Sequence, residues 1–367
     1  MQQSVSIILK ISNICNLKCK HCYEGEGLCN NNSIMPLETL EKIFSLAQSQ
    51  YKSVTYVWFG GEPLCAGLEY FQKAIDLQEK HNHDNIISNR IQTNATLMTK
   101  EFAQFFISEK FALSISYDAQ YNDCLRQKTE QTLVGINNIK QLGGNCGILS
   151  TIHSKNFDKQ IEMYEYIKSL GCPMKFNPIF PSGVALKNQE FLLDVNKYVD
   201  ETVKLFEHWC NDKNAVPISN LVQYLILIQN LPGKNCTFGK CLYKWLSIEP
   251  NGDIFPCSRF YDSQYKIGHL DDVTQIEDIF SWEKYNKIAK QVIDRRLNCR
   301  DNCEVYKYCN GGCNSAAANE KSLSESGFQQ CQITKLILPR IIEIVNNIKQ
   351  TGKVANKIVE KMLFPKQ

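Results

Sequence analysis

Cys15-Asn-Leu-Lys-Cys19-Lys-His-Cys22-Tyr23 places three thiols within eight residues, directly behind the apolar run Val5 to Leu9. Four cysteine ligands would close a metal site; three leave one coordination position open to a substrate or cofactor. The apolar run reads as a strand over 4–10, so the thiols stand in the loop that follows it. What succeeds that loop decides the architecture.

Downstream, short apolar runs alternate with helical periodicities. Further strands are expected over 54–59, 86–92, 111–115, 147–152 and 174–177, and helices over 37–50, 68–80, 99–109, 133–142 and 157–170. Pro36 opens one helix, Thr99 can cap another, and Gly171 sits where a C-cap glycine belongs. Six strands alternating with helices imply a parallel sheet, either a barrel or an open doubly wound sheet. Both place chemistry at the C-terminal ends of the strands. Gly60-Gly61-Glu62-Pro63 follows the second strand, Gln92-Thr93-Asn94 ends the third, Ser116 with Asp118 ends the fourth, and Asn177 ends the sixth. Two glycines let the backbone pass close to a ligand, and Glu62 can accept hydrogen bonds from an ammonium group. The chain has no GxxxxGK[ST], GxGxxG or HExxH, so phosphate-loop, dinucleotide and zincin chemistry find no support.

At 367 residues with 43% apolar side chains the chain is long enough for two domains, or for a barrel with an appendage. It has no apolar run long enough to span a bilayer and no export signal. A net charge of +3 from 41 basic and 38 acidic residues favours neither nucleic acid nor a membrane surface. Seventeen cysteines in a chain without an export signal point to metal ligation or buried thiols rather than disulfides. Residues 191–209 are helical in pattern, with Val195, Val199 and Val203 on one face, and 220–230 is a short apolar segment expected to bury between domains. Pro217, Pro232 and Gly233 punctuate it, so a first domain ends between 180 and 232. Then the thiols return at Cys236, Cys241, Cys257, Cys299, Cys303, Cys309, Cys313 and Cys331, with an Asn251-Gly252 hairpin between the second and third. Eight thiols fit two four-cysteine sites, and zinc ribbons stay open at this point.

The CxxxCxxC loop after strand one, with His21 in the aromatic position, joined to a GGE after strand two, resembles the radical S-adenosylmethionine (SAM) superfamily. The resemblance implies that Cys15, Cys19 and Cys22 bind a [4Fe–4S] cluster whose open iron takes the amino and carboxylate groups of S-adenosylmethionine. Gly60, Gly61, Glu62 and Pro63 would form the SAM-binding turn, with Glu62 toward the amino group, and Asn94 and Ser116 would contact ribose or carboxylate. The second field, Cys241-x10-Gly252-x4-Cys257 and Cys299-x3-Cys303-x5-Cys309-x3-Cys313 closed by Cys331, is similar to the SPASM extension of these enzymes, with one extra residue in the first short spacing. That module implies two auxiliary [4Fe–4S] clusters, one on Cys236, Cys241, Cys257 and Cys313, the other on Cys299, Cys303, Cys309 and Cys331. The expected fold is α/β: a partial (β/α)6 TIM-like barrel over 1–200, a helical linker over 201–235, a cysteine-rich α+β SPASM domain over 236–335, and a C-terminal helix and tail over 336–367.

Over most of its length the chain resembles anaerobic sulfatase-maturating enzymes, including Gly67-Leu-Glu-Tyr-Phe71, Leu77-Gln-Glu-Lys-His81 and the terminal Pro339-Arg-Ile-Ile342. Those enzymes oxidise Cys or Ser to formylglycine, with an Asp as general base directly after the cysteine matched here by Cys257. This chain has Ser258, whose hydroxyl cannot do a carboxylate's work near neutral pH; Asp262 is the alternative carboxylate on that loop. The expectation is therefore a relative that makes a 5′-deoxyadenosyl radical, abstracts hydrogen from a ribosomally made peptide or protein, and completes an oxidation or crosslink. Formylglycine formation is the alternative, and a non-catalytic Fe–S carrier or zinc scaffold the reading from another class. A flavodoxin- or ferredoxin-type donor, a monomer, an anaerobic or facultative cytoplasm, and no nucleic-acid or membrane partner complete the expectation. The separate leader-binding domain that often precedes such barrels is not expected, because strand one starts at residue four. Of the six remaining thiols, Cys146 and Cys172 are expected as buried hydrophobes, and Cys29 and Cys65 lie in loops near the expected active face.

Overall fold

The computed structural model describes residues 2–24, 33–231, 236–238, 241–260 and 262–365; Cys29 lies outside them. The strands are β1 (Gln2–Ser12), β2 (Tyr51–Gly60), β3 (Ile86–Thr93), β4 (Ala112–Ser116), β5 (Cys146–Ile152), β6 (Met174–Pro178), β7 (Trp245–Ile248), β8 (Asp253–Phe255) and β9 (Gly268–His269). The chain forms two compact units that are not collinear with the sequence. The first takes 1–116, 125–146 and 241–291, and the second takes 117–124, 147–240 and 292–367.

In the first unit β1 carries Val5, Ile7, Ile8, Leu9 and Ile11, all buried, so both its faces need cover. Such a strand belongs inside a parallel sheet. It pairs parallel with β2, which pairs with β3, which pairs with β4. The helices Leu37–Gln50, Leu68–Lys80 and Lys100–Ser108 lie between these strands in sequence. They and the sheet share an aromatic cluster in which Phe44 meets Tyr56 edge-on at 5.0 Å and Phe71 meets Phe106 at 5.2 Å. Thr99 caps its helix by accepting from the Phe102 N–H, as expected. The helix expected to start at 133 begins one turn earlier, as Thr129–Gln141. That turn is polar and shows no apolar period, yet Thr132 is buried and donates to the Asn94 carbonyl.

The Asn251-Gly252 turn joins β7 and β8 antiparallel, with Gly252 at φ +88. What local sequence does not show is the far edge of β7. It pairs parallel with β1, from Ser6 against Trp245 to Leu9 against Ile248. The hairpin and β9 therefore extend the same sheet.

In the second unit β5 and β6 run parallel, and the Asp118 carboxylate accepts from the Thr151 N–H at 2.6 Å. The expected helix over 157–170 resolves into a 3-10 turn, Phe157–Lys159, and a helix, Gln160–Ser169, and Gly171 follows at φ +67. The helix expected from 191 starts at Val195, because Asp194 caps it by accepting from the N–H groups of Asn196 and Lys197. This helix packs against Gln329–Thr351, and the apolar segment 220–230 is the helix Ser219–Ile228. Among the described residues no helix is long and apolar enough to cross a membrane.

Candidate functional site

β1 and β2 stay in register from Gln2 to Lys10, then shift before Ser12 meets Gly60. That irregularity turns the chain into the cysteine loop. The Gly61 N–H donates to the Ser12 carbonyl at 2.7 Å and the Glu62 N–H to the Ile14 carbonyl at 2.8 Å, so the glycine turn lies directly against the loop. A Cβ on Gly61 would stand 2.5 Å from the Ile14 carbonyl oxygen and 3.1 Å from Cys15 Cβ. Gly60, at φ +140, has no room for one either, facing the Ser12 carbonyl. Only glycine permits this approach.

Glu62 is 1% exposed and its carboxylate is held from three sides. Oε1 accepts from Thr93 Oγ1 at 2.5 Å and the Leu64 N–H at 3.1 Å, and Oε2 accepts from the Asn94 N–H at 2.8 Å. Burial pushes its pKa up to about 7 from 4.5 in spite of those three bonds, which favour the ionised form. Asn94 Nδ2 donates to Asn16 Oδ1 at 2.9 Å, and Asn16 Nδ2 donates to Thr96 Oγ1 at 2.7 Å, tying the end of β3 to the cysteine loop. Ser116, buried at the end of β4, accepts from Gln92 Nε2 at 3.3 Å. The structure thus brings Cys15, Gly60, Gly61, Glu62, Asn94 and Asn16 together. Burial raises Cys15 to about 12 and Cys22 to about 11, so these half-buried thiols are held protonated until something positive takes them as thiolates. An iron cluster is such a partner. Cys65 is half-buried one turn beyond Glu62.

Ser258 is 8% exposed, and its side chain lies beside the Tyr23 phenol, whose pKa burial pushes up. The Tyr23 ring stacks on Phe59 at 6.2 Å, with the Arg259 guanidinium 5.7 Å above it. Asp262 is exposed and caps a 3-10 turn by accepting from the Gln264 N–H. Three residues that spacing did not single out stand nearby. Lys10, 3% exposed in the middle of β1, bridges Glu24 at 2.7 Å and Glu249 at 2.9 Å. Burial alone would lower Lys10, but the two carboxylates outweigh it and raise it, so it stays charged. One cation cannot fully serve two acids, and burial lifts Glu24 to about 7. A lysine inside an apolar strand run is the sequence signal that could have flagged this triad.

In the second unit Cys299, Cys303, Cys309 and Cys331 line one cavity, together with Val305, Tyr306, Gly311 and Ser326. Burial lifts Cys309 to about 12, and the neighbouring thiols Cys331, Cys303 and Cys299 add to the rise. Among the described residues no three His, Cys, Asp or Glu side chains converge tightly enough for a single ion. Four thiols around one cavity are the donor set of a [4Fe–4S] cluster, so the residues present fit that group. Cys236 and Cys313 also belong to the second unit. Gln330 links their segments, accepting from the Cys313 N–H at 3.0 Å and donating to the Thr237 carbonyl at 3.2 Å. Cys241 and Cys257 belong to the first.

The model of the radical SAM superfamily matches residues 9–181, and that of the SPASM iron–sulfur cluster-binding domain matches residues 236–314. The chain carries both domains: it is a radical SAM/SPASM protein. By sequence and structure it resembles the anaerobic sulfatase-maturating enzymes. The cysteine-type enzyme of Clostridium perfringens is 27% identical over 370 residues, spanning 94% of this chain and 99% of that one. The radical SAM cyclopropyl synthase of Paramaledivibacter caminithermalis is 25% identical over 385 residues, spanning 95% and 76%. A solved structure, native anSMEcpe with bound AdoMet and Kp18Cys peptide, superposes with a TM-score of 0.81 at 24% identity, covering 94% of this chain and all of that one. The expected fold is borne out: a partial TIM barrel, its strand order open rather than closed, with a C-terminal SPASM domain. The cofactors of these domains are [4Fe–4S] clusters and S-adenosylmethionine. The non-catalytic carrier and the zinc scaffold give way to an enzyme of this superfamily, related to sulfatase maturases and peptide-modifying enzymes.

Proposed function

We propose that this chain modifies a peptide or protein by hydrogen abstraction and that its product is not formylglycine. The observation that carries the reading is Ser258. At the position where the resemblance calls for a carboxylate there is a hydroxyl, buried beside the Tyr23 phenol. A serine cannot hold the substrate's proton near neutral pH, whereas a carbon–carbon crosslink has no substrate thiol or hydroxyl to deprotonate, and a thioether requires its thiol proton to leave by another route. The likeness to the cyclopropyl synthase supports a chemistry of this wider kind.

When bound, S-adenosylmethionine and its cluster supply the hydrogen-abstracting radical. Cys15, Cys19 and Cys22 would hold that cluster. Gly60 to Pro63 would admit the cofactor, Glu62 would receive its ammonium, and Asn94 and Ser116 would border it. Cys299, Cys303, Cys309 and Cys331 would hold one auxiliary cluster, supported by their common cavity. Cys236, Cys241, Cys257 and Cys313 would hold the other, as the SPASM resemblance implies. The reading includes a peptide partner, a flavodoxin- or ferredoxin-type donor, a monomeric state and an anaerobic or facultative cytoplasm.

The second reading, formylglycine formation, is favoured by the sequence likeness to the Clostridium perfringens enzyme. Both are tested by incubating reconstituted protein and Ser258→Asp with S-adenosylmethionine, dithionite and a Cys-containing sulfatase peptide. The wild type should cleave S-adenosylmethionine yet yield little formylglycine by mass spectrometry, and Ser258→Asp should raise that yield about tenfold or more. Efficient conversion by the wild type overturns the proposal.

A further inference from the structure

Ser326 is half-buried and lines the same cavity as Cys299, Cys303, Cys309 and Cys331, with its side chain beside Cys299. It stands in the connection between the helices Asn314–Glu320 and Gln329–Thr351, the second of which carries Cys331. Hydrogen bonds fix that connection on either side of the serine. Upstream, Arg295 of the helix Glu283–Asn302, which also carries Cys299, donates to the Leu323 carbonyl. Downstream, Gln332 Nε2 donates to the Gly327 carbonyl at 3.0 Å, and the Gln329 N–H donates to Glu320 Oε2 at 2.6 Å. Gly327 turns the chain at φ +87 directly after the serine. The two helices that supply Cys299 and Cys331 thus hold this hydroxyl at the cavity. The other lining residues are four cysteines, a valine, a tyrosine and a glycine, so the anionic acceptors it faces once iron is bound are sulfurs. Tyr306, the other hydroxyl of the lining, stands near the exposed Arg300.

We propose that Ser326 donates its O–H to the Cys299 sulfur of the cluster on Cys299, Cys303, Cys309 and Cys331, raising the potential at which that cluster accepts an electron. This rests on the ligand reading above. An iron-bound thiolate carries no proton, so of the two groups only the serine can donate. A hydrogen bond to an anionic acceptor is roughly twice as strong as one between neutral groups, and it strengthens as charge on the acceptor grows. Reduction adds one electron to the cluster and places part of it on the sulfurs, so the bond favours the reduced side. The redox step is a bare one-electron couple. A low-potential donor, dithionite in the test below, loses one electron, the cluster gains it with one negative charge, and no bond to iron forms or breaks. Ser326 acts through a ligand and not on the substrate, which makes it a tuning residue.

The test uses the full chain carrying Cys15→Ala, Cys19→Ala and Cys22→Ala, so that the auxiliary couples are seen alone. Ser326→Ala, Ser326→Thr and Tyr306→Phe are made in it, iron is counted, and each couple is titrated against dithionite-poised mediators with EPR detection. Cys309→Ala in the same background identifies the couple by removing it. Ser326 is not among the positive-φ positions, so alanine asks nothing new of its backbone. Ser326→Ala should keep its iron and make that couple about tenfold harder to reduce, about 59 mV for one electron, leaving the other in place. Ser326→Thr should shift it by less than about a third as much, because the O–H stays. The proposal is overturned if Ser326→Ala moves that couple by less than about twofold, if both couples move equally, or if Thr shifts as far as Ala. It is overturned as well if Tyr306→Phe moves the couple further than Ser326→Ala, which would make the phenol the donor. Loss of iron in Ser326→Ala also overturns it, since the serine would then be a brace and no more. If Cys309→Ala removes neither couple, the ligand assignment falls first and the proposal with it.

Discussion

Replacing Glu62 with Gln removes one charge and almost no volume, which makes it the sharpest probe of the cofactor turn. The carboxylate accepts three hydrogen bonds, two on Oε1 and one on Oε2. A glutamine can keep its carbonyl toward Thr93 and Leu64, but its amide then points N–H groups at the Asn94 N–H. One buried donor is left unmet, at a stability cost of about 1–3 kcal/mol. Binding suffers separately, because a charge-assisted bond to the ammonium of S-adenosylmethionine is worth about 1.5–3 kcal/mol. At about 1.4 kcal/mol per decade, Kd for S-adenosylmethionine should rise about 10- to 150-fold. The pH dependence has a definite sign. Burial sets the free carboxyl near 7, so below that value it holds a proton that ammonium binding must expel. Wild-type affinity should therefore fall by up to about tenfold per unit as pH drops below about 7, and the slope from this group should vanish in Glu62→Gln. Anaerobic equilibrium dialysis on iron-loaded protein, from about pH 6 to 8, reads both effects. An affinity within about threefold of wild type, with an unchanged slope, would refute the assignment and leave Glu62 a structural cap.

Gly61→Ala sets a methyl 2.5 Å from the Ile14 carbonyl, backbone against backbone. The cysteine loop has to move, and reconstituted protein should lose about four of the roughly 12 irons that three clusters require, while keeping its auxiliary EPR signals; full iron content would refute the argument. Lys10→Met strips the cation that bridges Glu24 and Glu249 and should cost about 3–5 kcal/mol in urea denaturation. Lys10→Met with Glu24→Gln and Glu249→Gln should recover at least half of that loss, and no recovery would show that the triad's electrostatics are not the cause.

The parts of this molecule that could be read from the sequence are those written in contiguous residues. CxxxCxxC, GGEP and Asn251-Gly252 are turn and ligand chemistries whose spacing is local, and β1 declared its burial by being apolar on both faces. Element boundaries drifted where a polar side chain made the decision. Thr129 to Thr132 begin a helix with no apolar period, and Asp194 delays one. The supports of the site were not readable, because each is a charge or hydroxyl whose partner arrives only when the sheet assembles. Thr93 meets Glu62 from 31 residues away, and Lys10 meets Glu249 because β7 docks on β1. The same assembly sets Ser258 beside Tyr23. Position 258 thus carries two kinds of information. The spacing of its neighbour Cys257 says which residue type to expect there, and the tertiary contact says what the residue present does instead. A buried hydroxyl beside a phenol whose ring lies under an arginine is a neutral wall next to the ligand loop, and it offers no carboxylate to take a proton. That is the physical reason Ser258→Asp tests the reaction and not merely the residue.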